Sequence, residues 1–177
     1  MIPYDKRSGK IWYNKELVDW QDVKVHVLSH GLHYASTVFE GERVYSGVIF
    51  KGREHTERLR RSCEMLDFEL PLSDDELDAA KMAVVRANGI VDGYVRAFAW
   101  RGSEMMAISA QHTTTHVAIA AWEWPSYFDP ETKMKGITLD IADWKRPSPE
   151  SAPVHAKAAG LYMICTLSKH AAEKKGF

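Results

Sequence analysis

The spacing of apolar residues changes period along this chain, and a chain that does so must build strands and helices into one folded unit. The first third reads as short strands and turns. Ile11-Trp12-Tyr13 and Leu17-Val18 stand on either side of Asn14-Lys15, which predicts a hairpin. Val23 to Val27 alternates with period two, as a half-buried strand does. Val38 to Tyr45 and Val48-Ile49-Phe50 flank the turn dipeptide Ser46-Gly47. Then the period lengthens. Leu59, Cys63 and Leu66 recur at helical spacing between His55 and Leu66. A second helix is bounded by a capping box, Ser73 with Glu76, and by Gly89 as a stop. Strands resume at Tyr94 to Trp100 and at His116 to Trp122.

Trp124 to Pro130 breaks both periods and reads as a connector. Gly136 to Ala142 is again strand-like, and Pro147 and Pro149 make Lys145 to Ser151 a loop. Leu161 to Lys175 fits a helix with Leu161, Ile164, Leu167 and Ala171 on its apolar side and Gly176 as its stop. This order predicts an α+β fold. Residues 1–125 are expected to form an N-terminal α+β domain, 126–136 a connector, and 137–177 the start of a second domain.

With 23 basic and 24 acidic side chains interspersed, the net charge is -1, which leaves no electrostatic footprint for nucleic acid or an anionic membrane. No apolar stretch reaches bilayer length, and Met1 to Lys10 lacks the apolar core of a signal peptide. The expectation is a cytoplasmic protein without a membrane partner. Cys63 and Cys165 are expected to be buried free thiols.

Few residues could carry chemistry. Lys157 lies among small residues in His155-Ala156-Lys157-Ala158-Ala159-Gly160, between a proline-rich loop and a helix. A lysine condenses with carbonyls only when its amine is partly deprotonated, and small neighbours let a flat ligand approach the chain. On residue type alone, a solvated surface lysine is the favoured reading, since lysines are rarely buried. Arg58 belongs either to the wet face of an amphipathic helix or to a phosphate-binding fork at that helix start. Arg96 interrupts an apolar strand as an exposed residue or as a carboxylate clamp. His26, His30 and His33 cluster in sequence, but a strand through Val27 denies them metal-ligand geometry. Tyr34, Phe39, Trp122, Trp124, Tyr127 and Tyr162 line a pocket or fill a core, and spacing does not decide between the two.

Taken in order, several segments resemble the class IV aminotransferases, and the branched-chain amino-acid aminotransferases among them most closely. They are Ile11 to Asn14, Val25 to Tyr34, Val38 to Arg43, Phe50, Glu54-His55 with Arg58-Leu59, Tyr94 to Arg96, Ala120 to Trp122, and Lys157 to Tyr162. The resemblance covers nearly the whole chain. Two departures stand out. The family pattern Lys-Ala-Gly-Gly-Asn-Tyr is here Lys157-Ala158-Ala159-Gly160-Leu161-Tyr162, and Ala97 stands where a proline commonly follows the arginine.

The resemblance implies an N-terminal portion of a fold type IV enzyme, since family members continue well beyond a point equivalent to Phe177, and a chain without that continuation is expected to bind the cofactor weakly and to transaminate poorly or not at all. It implies pyridoxal 5'-phosphate as cofactor, carried as a Schiff base on Lys157, with Arg58 at the phosphate and Tyr162 beside the ring's phenolic oxygen. Phe39, Tyr34 and Tyr127 would wall the substrate pocket, Tyr34 by way of a neighbouring subunit. Arg43 and Arg96 would meet the distal carboxylate of glutamate. The implied reaction is transamination between leucine, isoleucine or valine and 2-oxoglutarate, in a homodimer or a multiple of dimers. The competing readings are a D-amino-acid aminotransferase, an aminodeoxychorismate lyase, and a non-catalytic self-associating module.

Overall fold

A computed structural model describes residues 2–125 and 128–177. The hairpin expected near the N-terminus is present as β1 (Lys10–Tyr13) and β2 (Glu16–Asp19). Its turn is Asn14 at φ 45° and Lys15 at φ 81°, the left-handed pair that matches the twist of a tight hairpin. A four-residue helix, α1 (His30–His33), precedes β3 (Thr37–Phe39), β4 (Glu42–Tyr45) and β5 (Val48–Ile49). The run from Val38 to Tyr45 is thus two strands, divided at Glu40-Gly41. Ser46 at φ 49° and Gly47 at φ 77° close the β4–β5 hairpin.

Helices α2 (Gly52–Met65) and α3 (Asp74–Ala87) follow. The α3 capping box is complete: Ser73 Oγ accepts from the Glu76 N–H, and the Glu76 carboxylate accepts from the Ser73 N–H at 2.7 Å. Two long strands, β6 (Gly93–Arg101) and β7 (Thr115–Glu123), then form the centre of the sheet. Its order is β2-β1-β7-β6-β4-β5, with β3 also paired to β6, and every pairing is antiparallel.

Period-two alternation sorts the sheet into two chemically different faces. Val38, Val44, Val95, Ala97, Val117 and Ile119 pack against Leu59 and Cys63 of α2 and against Leu77, Val84 and Val85 of α3. The opposite face carries Phe39, Tyr94, Arg96, Phe98, Trp100 and Trp122, brought level by the registers Phe39↔Phe98 and Tyr94↔Trp122. That second face is where the candidate site lies.

Four expectations need correction. Val23 to Val27 is not a strand: it follows a 3₁₀ turn at Trp20–Asp22 as an irregular, largely exposed segment. Gly136 to Ala142 alternates equally well, yet no strand forms, and Ile137, Leu139 and Ile141 stand 57%, 78% and 85% exposed. Both segments lack a neighbour to complete the ladder, and alternation without a partner is not a strand. The last helix is a 3₁₀ turn, Ala159–Tyr162, leading into α5 (Met163–Lys174), and no residue of α5 is buried. Cys165 is accordingly exposed, whereas Cys63 is buried.

Before that helix the connector contains one short helix, α4 (Pro130–Lys135), capped by Asp129. Among the described residues, no helix is long and apolar enough to cross a membrane.

Candidate active site

Lys157 is aimed by its neighbours. Val154, Ala156 and Ala158 are buried, so although Val154 to Ala156 is a turn and only Ala158 is bridged to the sheet, the even-numbered side chains face the core. Ala158 forms a β-bridge with Val38, and Phe39 N–H donates to the Lys157 carbonyl at 3.1 Å. The Lys157 N–H donates to Ser62 Oγ on α2 at 3.0 Å. With alanines on the core side, Lys157 must project to the opposite face, beside Phe39. Gly160 continues the close approach, because a Cβ there would sit 2.9 Å from Ala35 Cβ.

The half-buried Lys157 amine donates to the Tyr162 hydroxyl at 2.5 Å. It lies 4.8 Å from the centroid of Phe39 and 4.9 Å from that of Tyr162. The two rings meet edge to face at 4.7 Å. Arg96 reaches the same phenylalanine, its guanidinium 4.6 Å from the ring centroid, and donates to the Tyr94 hydroxyl at 3.0 Å. Its Nε is buried and unbonded. Phe39, Arg96, Phe98, Trp122, Trp124 and Ala159 contribute to an open, mostly apolar cleft of about 580 Å³. The aromatic residues left undecided by spacing therefore separate: Phe39, Trp122 and Trp124 line a cleft rather than fill the helix-side core.

Arg58 comes from α2. Its Nε and Nη2 each donate at 2.6 Å to one oxygen of Glu40, which is wholly buried. His55 Nδ1 sits 2.8 Å from Glu40 Oε2. The hydrogen bonds to Glu40 raise Arg58 above the ordinary arginine value, and Tyr162 is near enough to add to the effect. Lys157, Tyr162, Phe39, Arg96 and Arg58 thus form one neighbourhood.

Two predicted residues stand outside it. Tyr34 is exposed and stacks on His30 with centroids 4.5 Å apart, and Arg43 lies over Tyr45 at 5.5 Å. Neither lines the cleft; Lys157, Tyr162 and Arg58 do not line it either, but they are linked to its Phe39 wall by the Lys157 and Tyr162 ring contacts and by the proximity of Tyr162 to Arg58. Tyr127 lies outside the described residues.

Sequence reasoning assigned no role to Glu40, Tyr94, Phe98 or Tyr4. An acidic residue inside the apolar run Val38-Phe39-Glu40-Gly41 was the available signal for the first.

The other candidates have structural partners. His30 is buried between Ser36 Oγ at 2.8 Å and the Ala107 carbonyl at 2.9 Å, and His33 meets the Val27 carbonyl. No group of metal-ligating side chains occurs among the described residues. Burial pushes the Cys63 thiol up to about 12, so it is no nucleophile at neutral pH.

An amine beside a phenol, a flat aromatic wall and an arginine fork make a constellation suited to carbonyl and amine chemistry on an aromatic ligand. The comparison with known proteins agrees with that class. Residues 37–177 match the family described as amino-transferase class IV, and the chain belongs to that family. It is similar to the probable branched-chain-amino-acid aminotransferase of Rickettsia conorii, with 38% identity over 177 residues, 100% of this chain and 60% of the relative. Among solved structures it resembles the branched-chain aminotransferase of Thermoproteus uzoniensis with norvaline. There the TM-score is 0.88 and the identity 34%, over 96% of this chain and 58% of that one. An aminotransferase from Brucella abortus bound to the co-factor PLP gives a TM-score of 0.79 at 26% identity, over 97% and 60% of the two chains. The chain therefore spans about 60% of the length of such relatives.

Proposed function

We propose that this chain takes part in amino-group transfer between branched-chain L-amino acids and 2-oxoglutarate, with pyridoxal 5'-phosphate held by Lys157. The observation that carries this reading is the Lys157 amine, half-buried over Phe39 and hydrogen-bonded to Tyr162, where the Phe39 ring separates it from the cleft that Arg96 lines. The residues present fit the cofactor: one amine for an aldehyde, one phenol for a ring oxygen, and one guanidinium with an open edge for a phosphate. When bound, the cofactor supplies the sink for the electron pair left behind by a substrate proton.

The chain's own groups each take a part. Lys157 would hold the cofactor through its amine, and when free that amine would be the base for the substrate's α-proton. Tyr162 holds that amine beside the Phe39 ring through its hydroxyl. Phe39, Trp122 and Trp124 offer an apolar wall that suits leucine, isoleucine and valine. Arg96 supplies the positive charge for the distal carboxylate of glutamate in the other half-reaction. Arg43 lies off the cleft and has at most a peripheral share of that task.

A second copy of the chain is part of the reading. Val27, Leu28, Leu32 and Tyr34 are exposed beside Met106 and Ile108, and His30 ties these two segments together through Ala107. Exposed apolar side chains on two segments joined in this way support a homo-oligomer in which Tyr34 serves a neighbouring site. Residues 137–177 read as the opening of a second unit after the 1–125 domain and the 126–136 connector. The exposed apolar residues of 137–144 and the unburied helix α5 support this.

The test is a coupled assay with pyridoxal phosphate, L-leucine and 2-oxoglutarate, measuring glutamate and the branched 2-oxo acid. The expected result is slow, equimolar formation of both, abolished by Lys157→Ala. Turnover of D-amino acids in preference to L-amino acids, or turnover that survives Lys157→Ala, would reject the assignment.

A further inference from the structure

Glu40 has no access to water at 0% exposure, and it lies where β3 gives way to β4. The sheet sets its position: its N–H donates to the Ala97 carbonyl at 2.7 Å. The next residue allows the chain no slack, since a Cβ on Gly41 would fall 2.0 Å from the Tyr94 hydroxyl. Both carboxylate oxygens are engaged, Oε1 by Arg58 Nε and Oε2 by Arg58 Nη2, each at 2.6 Å. His55 Nδ1 stands behind, 2.8 Å from Oε2. A fork-to-fork pair of this kind fixes the plane of a guanidinium as well as its position.

The arginine is asymmetric in its surroundings. One edge is bound to a buried acid, while the side chain as a whole is 45% exposed. Among the described residues nothing bonds Nη1. A long arginine on a helix surface otherwise samples many rotamers, and ordering it costs up to about 2 kcal/mol. Burying an acid merely to hold a helix is a poor stabiliser, because an apolar residue of similar size usually does at least as well.

We propose that Glu40 is a positioning residue for cofactor binding, locking the inner edge of Arg58 so that its outer edge is presented rigidly to the phosphate. This rests on the reading that Arg58 meets the phosphate. It adds that the acid behind the arginine strengthens anion binding by geometry, although its charge opposes it. The two effects have opposite signs, which makes them separable. If Glu40 mattered only as a charge, removing it would tighten phosphate binding; a positioning role weakens it.

The experiment titrates the full chain with pyridoxal phosphate and with pyridoxal, by absorbance, and takes the ratio of the two affinities as the phosphate preference. Arg58→Ala is expected to lower the preference roughly 10- to 100-fold, the range for a hydrogen bond to a charged group. An unchanged ratio in that variant would remove the underlying reading. Glu40→Gln is expected to lower the preference about tenfold, within that same range, and to leave pyridoxal affinity unaltered. A preference equal to or above the parent's in Glu40→Gln, with Arg58→Ala still impaired, would overturn the proposal alone. Should Glu40→Gln fail to fold, Arg58→Lys decides. Its ammonium has donors for both partners but no planar fork for Glu40 to lock, so a loss approaching that of Arg58→Ala is expected, and a parent-like preference would overturn the proposal.

Discussion

Ala158 is 4% exposed and bridges to Val38, which is fully buried within the same core as Leu59. Replacing it with leucine forces three extra carbons into packed space, an overpacking that costs about 1–3 kcal/mol. For a chain of this size each kcal/mol moves the melting temperature by about 2–4 °C, so Ala158→Leu should lower it by about 2–12 °C. The same change one residue on has a different meaning. Ala159 is only partly buried and lines the cleft, so Ala159→Leu should leave stability within about 0.5 kcal/mol while obstructing ligand binding. Circular dichroism melts of both variants beside the parent read the stability difference directly. The alternation that aims Lys157 at Phe39 requires this order of effects. A harmless Ala158→Leu together with a destabilising Ala159→Leu would mean that the segment faces the other way, and the placement of Lys157 would be wrong.

Ser73→Ala removes the complete α3 cap and should cost about 1 kcal/mol in chemical denaturation; a loss below about 0.3 kcal/mol would mean that the cap is idle. Tyr162→Phe keeps the ring contact with Phe39 but deletes the hydroxyl bound to Lys157. It should lower kcat/KM about tenfold with no change in melting temperature, and unchanged kinetics would rule out an orienting role. Glu42 is buried against Lys81 at 2.9 Å with one oxygen unbonded, and desolvation outweighs the lysine's pull, lifting it from 4.5 to about 7. A raised carboxyl contributes stability while protonated, in full below pH 4.5, and that contribution is lost as the pH climbs through about 7. Across that window the parent should therefore lose stability relative to Glu42→Gln, and parallel pH curves would contradict the assignment.

Where pattern and partner agreed, the elements could be read from residues alone. The alternation of Tyr94 to Trp100 and His116 to Trp122 became the central pair because each strand had the other beside it. The box at Ser73 and Glu76 is a local device and was legible for that reason. Val23 to Val27 and Gly136 to Ala142 carry the same alternation without a ladder partner, a non-local condition that a sequence window does not contain. Lys157 on its own was indistinguishable from a surface lysine. Its meaning lies in the alanines on either side, which only the bridge to Val38 turns into a direction. Glu40 was hidden for a similar reason, because its partner Arg58 is 18 residues away and nothing local announces the pairing.

The role proposed for Lys157 is that its amine condenses with the cofactor aldehyde. Adding pyridoxal phosphate, reducing with borohydride and mapping the adduct by mass spectrometry tests it directly. One phosphopyridoxyl group per chain on Lys157 is the predicted result. Label spread over surface lysines, with Lys157 unmodified, would contradict it.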